Sequence, residues 1–349
     1  MRILVLGNNF AARKFIEHFE INPLNIVFST IDGLKSYISL NSIDDIVDFS
    51  SANDINLVVV TNNQYYETDE LQQKLNDAQI SYFAPDFNSV DIILSKAYAK
   101  RFMYKNKIPT PRFSIFEKPQ SALEYLRNNK GTFVLKADCE GENETCQFVE
   151  TYLQAQNAIN EFFANDNKKI IIEDYIEGKS ATIWAISDGY SVQIIGTSAK
   201  CDGKIALFEP DFINDSLREK ILNEALIPTI DCLVTQECEY VGILGLEVIL
   251  TSRYDFQALG YKSFFDDLNA EFFTRCYDVH WEDVFESILK GDIFLKYNFQ
   301  RNENCALTMV KDNDFKFFRT KIRANLKKFI KNEDLDLDLY KKVKTPYRG

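Results

Sequence analysis

One stretch, Phe83 to Asp138, limits the folds open to this chain more than any other. It opens Phe83-Ala84-Pro85-Asp86 and runs into Ser95-Lys96-Ala97-Tyr98-Ala99-Lys100-Arg101-Phe102-Met103, which reads as a helix. Ile108-Pro109-Thr110-Pro111 fixes a turn into the strand Phe113-Ser114-Ile115-Phe116. A helical segment, Ser121 to Leu126, leads to a second strand, Thr132-Phe133-Val134-Leu135-Lys136-Ala137-Asp138. One lysine starts the unit and another ends it. Two cations on separate rigid elements suit a polyanion such as a nucleoside triphosphate.

The flanking sequence supplies the rest of an α/β architecture. Arg2–Leu6 is apolar after Arg2 and reads as a buried parallel strand, followed by Gly7-Asn8-Asn9 and a helix over 10–19. Residues 25–29, 55–61 and 80–83 read as three more strands, with a short helix at 43–49. Four strand–helix units in the first 90 or so residues predict a small doubly wound sheet. Asn62-Asn63-Gln64 falls at the carboxyl end of the third strand, where such folds hold ligands. Further on, 153–163 reads as a helix and 169–173 as a strand, with the hairpin 182–186/191–196 turning at Asp188-Gly189. Residues 215–235 read as a helix interrupted near Pro228, and 240–251 and 255–261 as strands. Glu247 stands in the middle of the first of these strands, a costly place for a carboxylate unless it is paired or holds a metal.

At 349 residues the chain is long enough for two or three cores. The boundaries fall near 1–95 (parallel α/β), 96–290 (with a small lid at about 110–180) and 291–349. A net charge of −12 argues against nucleic acid as a partner. No apolar run approaches the ~20 residues that cross a membrane, and Gly7 ends the first one too early for a signal peptide. Seven cysteines without a Cys-x-x-Cys pair read as free thiols of a cytoplasmic protein, not a zinc site. The two histidines, His18 and His280, read as surface or capping residues.

These motifs resemble the ATP-grasp ligases, most closely the phosphoribosylamine–glycine ligase family of purine synthesis. The likeness runs through 83–103, Ile108-Pro109-Thr110, Lys136-Ala137-Asp138, Ile172-Glu173-Asp174-Tyr175-Ile176-Glu177-Gly178 and 240–251, and spans roughly residues 1–290. It implies a Rossmann-like N-terminal domain, an ATP-grasp domain with a lid, and a shortened C-terminal α/β piece. It implies ATP and magnesium as cofactors, and small-molecule substrates, glycine and phosphoribosylamine, joined through an acyl phosphate. By resemblance Lys96 and Lys136 meet the phosphates, and adenine bonds the main chain at Tyr175 and Ile176, with Glu173 as the acid for its amino group. Glu247 resembles the first magnesium ligand. Counting back from Phe264 puts the remaining ligand positions at Leu259 and Tyr261, neither of which binds magnesium. Asp266 and Asp267 lie just beyond. No protein nucleophile is implied.

The chain also departs from the pattern. It holds only 13 glycines, about half the ~7% usual in proteins. The loop expected to close over the triphosphate, 139–146, carries one glycine, three glutamates and no lysine. Lys179 and Ser180 stand where ribose-holding glutamates are expected. Two alternatives therefore stand beside a phosphoribosylamine–glycine ligase: a non-catalytic relative that binds a nucleotide or acts as a structural module, and a ligase for another substrate pair.

Overall fold

The computed structural model describes residues 1–7, 10–61, 65, 69–138, 146–164, 169–201, 205–208, 213–252, 254–263, 305–310 and 314–319. The N-terminal part is a four-stranded parallel sheet in the order β2-β1-β3-β4, built from β1 (Arg2–Leu6), β2 (Ile26–Ser29), β3 (Leu57–Val60) and β4 (Ser81–Phe83). Helices α1 (Phe10–Phe19), α2 (Ile43–Ala52) and α3 (Glu70–Asp77) connect the strands. Every residue of β3 is buried, as an all-apolar run in a parallel sheet requires. Asn8, Asn9 and Asn62–Gln64 lie outside the described residues.

Helix α4 (Asp91–Leu94) leads into α5 (Lys96–Lys105), whose N-cap is Ser95. Next come β5 (Phe113–Phe116), α6 (Pro119–Asn128), β6 (Phe133–Ala137), β7 (Cys146–Val149), α7 (Tyr152–Ala164) and β8 (Ile170–Asp174). The four strands form an antiparallel sheet in the order β5-β8-β6-β7. Helices α6 and α7 cover one face, burying Ala122, Ala158, Ile159 and Phe162 against Leu135 and Ile172.

A larger antiparallel sheet carries the rest: β9 (Lys179–Gly189), β10 (Val192–Cys201), β11 (Ile205–Phe208), β12 (Tyr240–Leu250), β13 (Phe256–Lys262), β14 (Cys305–Val310) and β15 (Asp314–Arg319), in the order β13-β12-β9-β10-β11-β14-β15. One face packs on α8 (Asp215–Ile221) and α9 (Ile227–Val234), with Leu217, Ile230 and Leu233 against Ile183, Leu244 and Leu246. The interruption expected near Pro228 is a π-turn over Leu222–Leu226 that ends as α9 begins. Proline has no N–H to offer the preceding turn, and the widened turn absorbs that loss. The segments around His280, the 139–145 loop, Asp266, Asp267 and the helix expected at 324–330 lie outside the described residues. The side chain of His18, on α1, is likewise not described.

Candidate nucleotide site between two sheets

Lys136 on β6 and Glu173 on β8 are diagonal cross-strand neighbours two positions apart in register, since Lys136 pairs Ile171 and Val134 pairs Glu173. Lys136 Nζ lies 3.1 Å from Glu173 Oε1. The same oxygen lies 3.3 Å from Nζ of Lys100, one turn along α5 from Lys96. Glu173 is 2% exposed and Lys100 1%. One buried carboxylate oxygen is thus shared by two ammonium groups, the pairing that buried charge requires.

Lys100 ties the cluster to two other places. Its ammonium donates to Thr110 Oγ1 at 2.9 Å and to the Ala258 carbonyl at 3.4 Å. Thr110 Oγ1 donates to that same carbonyl at 2.8 Å, and the Ala258 N–H donates to the Pro109 carbonyl at 2.7 Å. The Pro109–Thr110 turn is thereby clamped to β13. Burial pushes the Lys100 pKa down to about 8, with Lys136 adding to the effect and Glu173 and Glu247 opposing it. For Lys136 burial also pulls downward, but Glu173, Cys146 and Glu247 outweigh it and the pKa is raised.

Lys96 is half-buried at the first position of α5. The neighbouring Ser95 hydroxyl donates to Asp138, 3.0 Å from Oδ1, and accepts from the Tyr98 N–H at 3.0 Å. The Ala97 N–H also donates to Asp138 Oδ1, at 3.0 Å. Asp138 follows β6, so an anionic cap at the positive end of α5 ties the helix bearing Lys96 to the strand bearing Lys136.

The segment after β8 is extended and open. The Tyr175 N–H donates to the Thr132 carbonyl at 3.0 Å, whereas the Ile176 N–H has no protein acceptor among the described residues. Of the two residues expected to bond adenine, only Ile176 keeps its donor. The Tyr175 ring, 45% exposed, meets Phe148 edge-on at 4.9 Å. Glu173, expected to face adenine, turns its Oε1 to the two lysines.

Glu247 lies on the face of β12 opposite the helices, with Thr182 of β9 and Gly260 of β13 beside it. Its Oε1 is 2.8 Å from Lys262 Nζ. Leu259 and Tyr261, the positions counted back from Phe264, flank a change of register. Pairing steps from Glu247↔Gly260 to Val248↔Ala258, so Leu259 is the extra residue of a β-bulge. Tyr261 consequently points into the helix-covered core, where its hydroxyl meets that of Thr229 at 2.7 Å. Gly260 and Lys262 lie on the face that carries Glu247.

The family model described as "Phosphoribosylglycinamide synthetase, ATP-grasp (A) domain" matches residues 94–270, half of the chain. The chain belongs to this ATP-grasp family. Among curated relatives it is 25% identical to phosphoribosylamine–glycine ligase of Clostridium acetobutylicum over 72% of the chain and 67% of that protein. It is 27% identical to a bifunctional purine biosynthetic protein of Pichia angusta over 76% of the chain but only 37% of that protein. The chain thus spans little more than a third of the yeast relative and about two thirds of the bacterial one. The crystal structure of phosphoribosylamine–glycine ligase from Thermotoga maritima superposes with a TM-score of 0.68 at 17% identity, covering 88% of this chain and 80% of that one. An ADP complex of N5-carboxyaminoimidazole ribonucleotide synthetase gives 0.69 at 10%, covering 88% and 81%. Both show a shared fold.

The ATP-grasp fold puts the cluster between its two antiparallel sheets. The chemistry there fits a nucleotide: ammonium groups for phosphates, and for a base the Ile176 N–H, which has no protein acceptor among the described residues. It does not fit magnesium. Glu247 is engaged by an ammonium ion, glycine faces it, and among the described residues no three Asp, Glu, His or Cys side chains converge on a metal position. Lys100, Asp138 and Lys262 escaped the sequence reading. The available signal for Lys100 was its spacing of four from Lys96, which puts both on one helix face. Cys146, Cys232 and Cys238 are free thiols, and no helix among the described residues is long and apolar enough to cross a membrane.

Proposed function

We propose that the cleft between the two antiparallel sheets binds ATP, and that the chain is an ATP-dependent carboxylate–amine ligase resembling phosphoribosylamine–glycine ligase. The observation that carries this reading is the convergence of Lys100, Lys136 and Glu173, from one helix and two strands, beside the extended segment with a free Ile176 N–H. Adenine lies on that segment and accepts from Ile176. The phosphates run toward Lys136 and Lys96. A substrate carboxylate oxygen attacks the γ-phosphorus and ADP leaves with the bonding pair. The amine nitrogen then attacks the acyl carbon, phosphate departs, and the nitrogen gives up a proton. The protein contributes position and positive charge and forms no covalent intermediate. The names of the relatives supply the substrate pair, phosphoribosylamine and glycine. The free cysteines support action in the reducing cytoplasm.

One observation favours a second reading. The Glu247–Lys262 pair removes a carboxylate that would otherwise hold a cation. The loss of that ligand fits a protein that binds nucleotide without turnover, and the departures from the family pattern also fit a ligase with another substrate pair. Calorimetric titration of the full chain with ATP tests the common part: binding is expected, and is lost in Lys136→Ala. Absence of heat at millimolar ATP overturns the nucleotide reading. ADP release upon addition of glycine and phosphoribosylamine identifies the first reading. ATP binding without release favours the second.

A further inference from the structure

Glu247 and Lys262 are about one-third exposed on the face of the sheet opposite the helices, so the pair is open to a ligand. The bulge at Leu259 makes the pairing possible, because without that extra residue Lys262 would turn into the core now filled by Tyr261. Lys262 stands across from Gly245, and its side chain runs diagonally to Glu247, two residues further along β12. Ala258, whose carbonyl accepts from Lys100, pairs with Val248, the residue after Glu247. Glu247 is also close enough to favour the charged forms of Lys100 and Lys136. Three ammonium groups, the buried Lys100, Lys136 and the partly exposed Lys262, therefore stand against two carboxylates, Glu173 and Glu247, along this part of the fold.

From this arrangement we infer that Lys262 is a built-in counter-cation: it holds Glu247 in place of a divalent metal, and the cleft takes its nucleotide polyphosphate as the metal-free anion. This rests on the nucleotide reading above for the ligand, but not for the metal. An ammonium ion 2.8 Å from the carboxylate occupies the space a divalent ion would need, and its charge repels one. With the carboxylate neutralised, the five groups named sum to one positive charge. A polyphosphate brings the compensating negative charge itself. A polyphosphate already wrapped around magnesium brings less of it.

Two measurements on the full-length chain separate the metal claim from the nucleotide claim. The first is Mn2+ binding without nucleotide, read from the electron paramagnetic resonance of the free ion. Wild type is expected to bind none at Glu247 up to about 1 mM. Lys262→Glu, which puts a second carboxylate beside Glu247, is expected to gain a site, and Lys262→Arg is expected to gain none. Mn2+ binding by wild type that disappears in Glu247→Gln overturns the inference, as does a folded Lys262→Glu that gains nothing. Lys262→Asp serves if Lys262→Glu fails to fold. The second measurement is ATP titration in EDTA against excess magnesium. Binding is expected to be at least as tight in EDTA, and Lys262→Gln is expected to weaken it about tenfold, the value of one contact near 1.4 kcal/mol. Binding that needs magnesium, or that Lys262→Gln leaves unchanged, overturns the inference. If ATP binds under neither condition, the nucleotide reading and the metal-free polyphosphate part fall together, and the Mn2+ result still decides whether Lys262 excludes a metal.

Discussion

At the scale of single residues, Glu173 is the linchpin, because two buried ammonium groups depend on one oxygen. Glu173→Gln keeps the volume and removes the charge. It leaves Lys100 and Lys136 facing each other, and loss of one partner from a buried ion pair costs about 3–5 kcal/mol. Urea denaturation is expected to show a loss of that size for Glu173→Gln, with much of it recovered in the double variant Glu173→Gln/Lys100→Met. Equal losses in the single and double variants would mean that the cluster is not coupled. Lys100 also gives stability a pH dependence of known sign. Its folded pKa of about 8 lies below the ordinary 10.5, so between those values the unfolded chain holds more protons. Stability therefore rises with pH across that window, by at most about 1.4 kcal/mol per pH unit. Below about pH 8 the cost of burying the ammonium is fully present. The raised pKa of Lys136 acts in the opposite sense, and only above 10.5. Urea midpoints measured from pH 7 to 10 are expected to show wild type gaining on Lys100→Met, in which this group is absent. A constant difference would refute the assignment.

At the scale of elements, the open segment after β8 depends on a close approach that only glycine allows. A Cβ on Gly178 would lie 2.4 Å from the Leu250 carbonyl oxygen and 2.8 Å from a side-chain carbon of Ile249. Backbone cannot yield as a side-chain tip can, so Gly178→Ala has to lift 175–178 away from the end of β12. The expected result is a stability loss of about 1–3 kcal/mol with ATP affinity reduced further than Lys179→Ala reduces it. Unchanged ATP affinity in a folded Gly178→Ala would show that the segment does not seat the base. The same scale explains what was legible in the sequence. Arg2–Leu6 and 57–60 were readable as strands because parallel strands buried on both faces are written in uninterrupted apolar residues. The hairpin at Asp188 was readable because the turn is local: the Asp188 carboxylate accepts from the N–H groups of Tyr190 and Ser191. The Lys100–Glu173 pair was not readable, since its partners are 73 positions apart and a helix lysine reads the same whether it meets water or a buried acid. The face occupied by Lys262 was lost for a different reason. A bulge leaves no mark in the sequence, and one extra residue inverts the face of every position beyond it.

At the scale of the molecule, the large sheet is closed on one side by sequence far from its middle. β14 and β15 extend it past β11, with Ile205–Phe208 paired antiparallel to Thr308–Cys305 and β14 paired in turn to β15. Strands from beyond residue 304 therefore cover the edge of a sheet whose other strands carry Glu247 and the core around Trp184. Ending the chain at Asn304 would remove both and leave unpaired the donors and acceptors on the edge of β11 away from β10. Exposed edges of this kind pair with other chains. A 1–304 variant is expected to show concentration-dependent association by light scattering under conditions where the full chain stays monodisperse. The cluster at Lys100, Lys136 and Glu173 sits at the opposite edge of that sheet, where β13 is held by Pro109, Thr110 and Lys100. ATP binding per folded chain should accordingly survive the truncation even as solubility falls. Loss of ATP binding from the monomeric fraction of 1–304 would mean that the far strands set the geometry of the cleft, and that the sheet transmits strain across its full width.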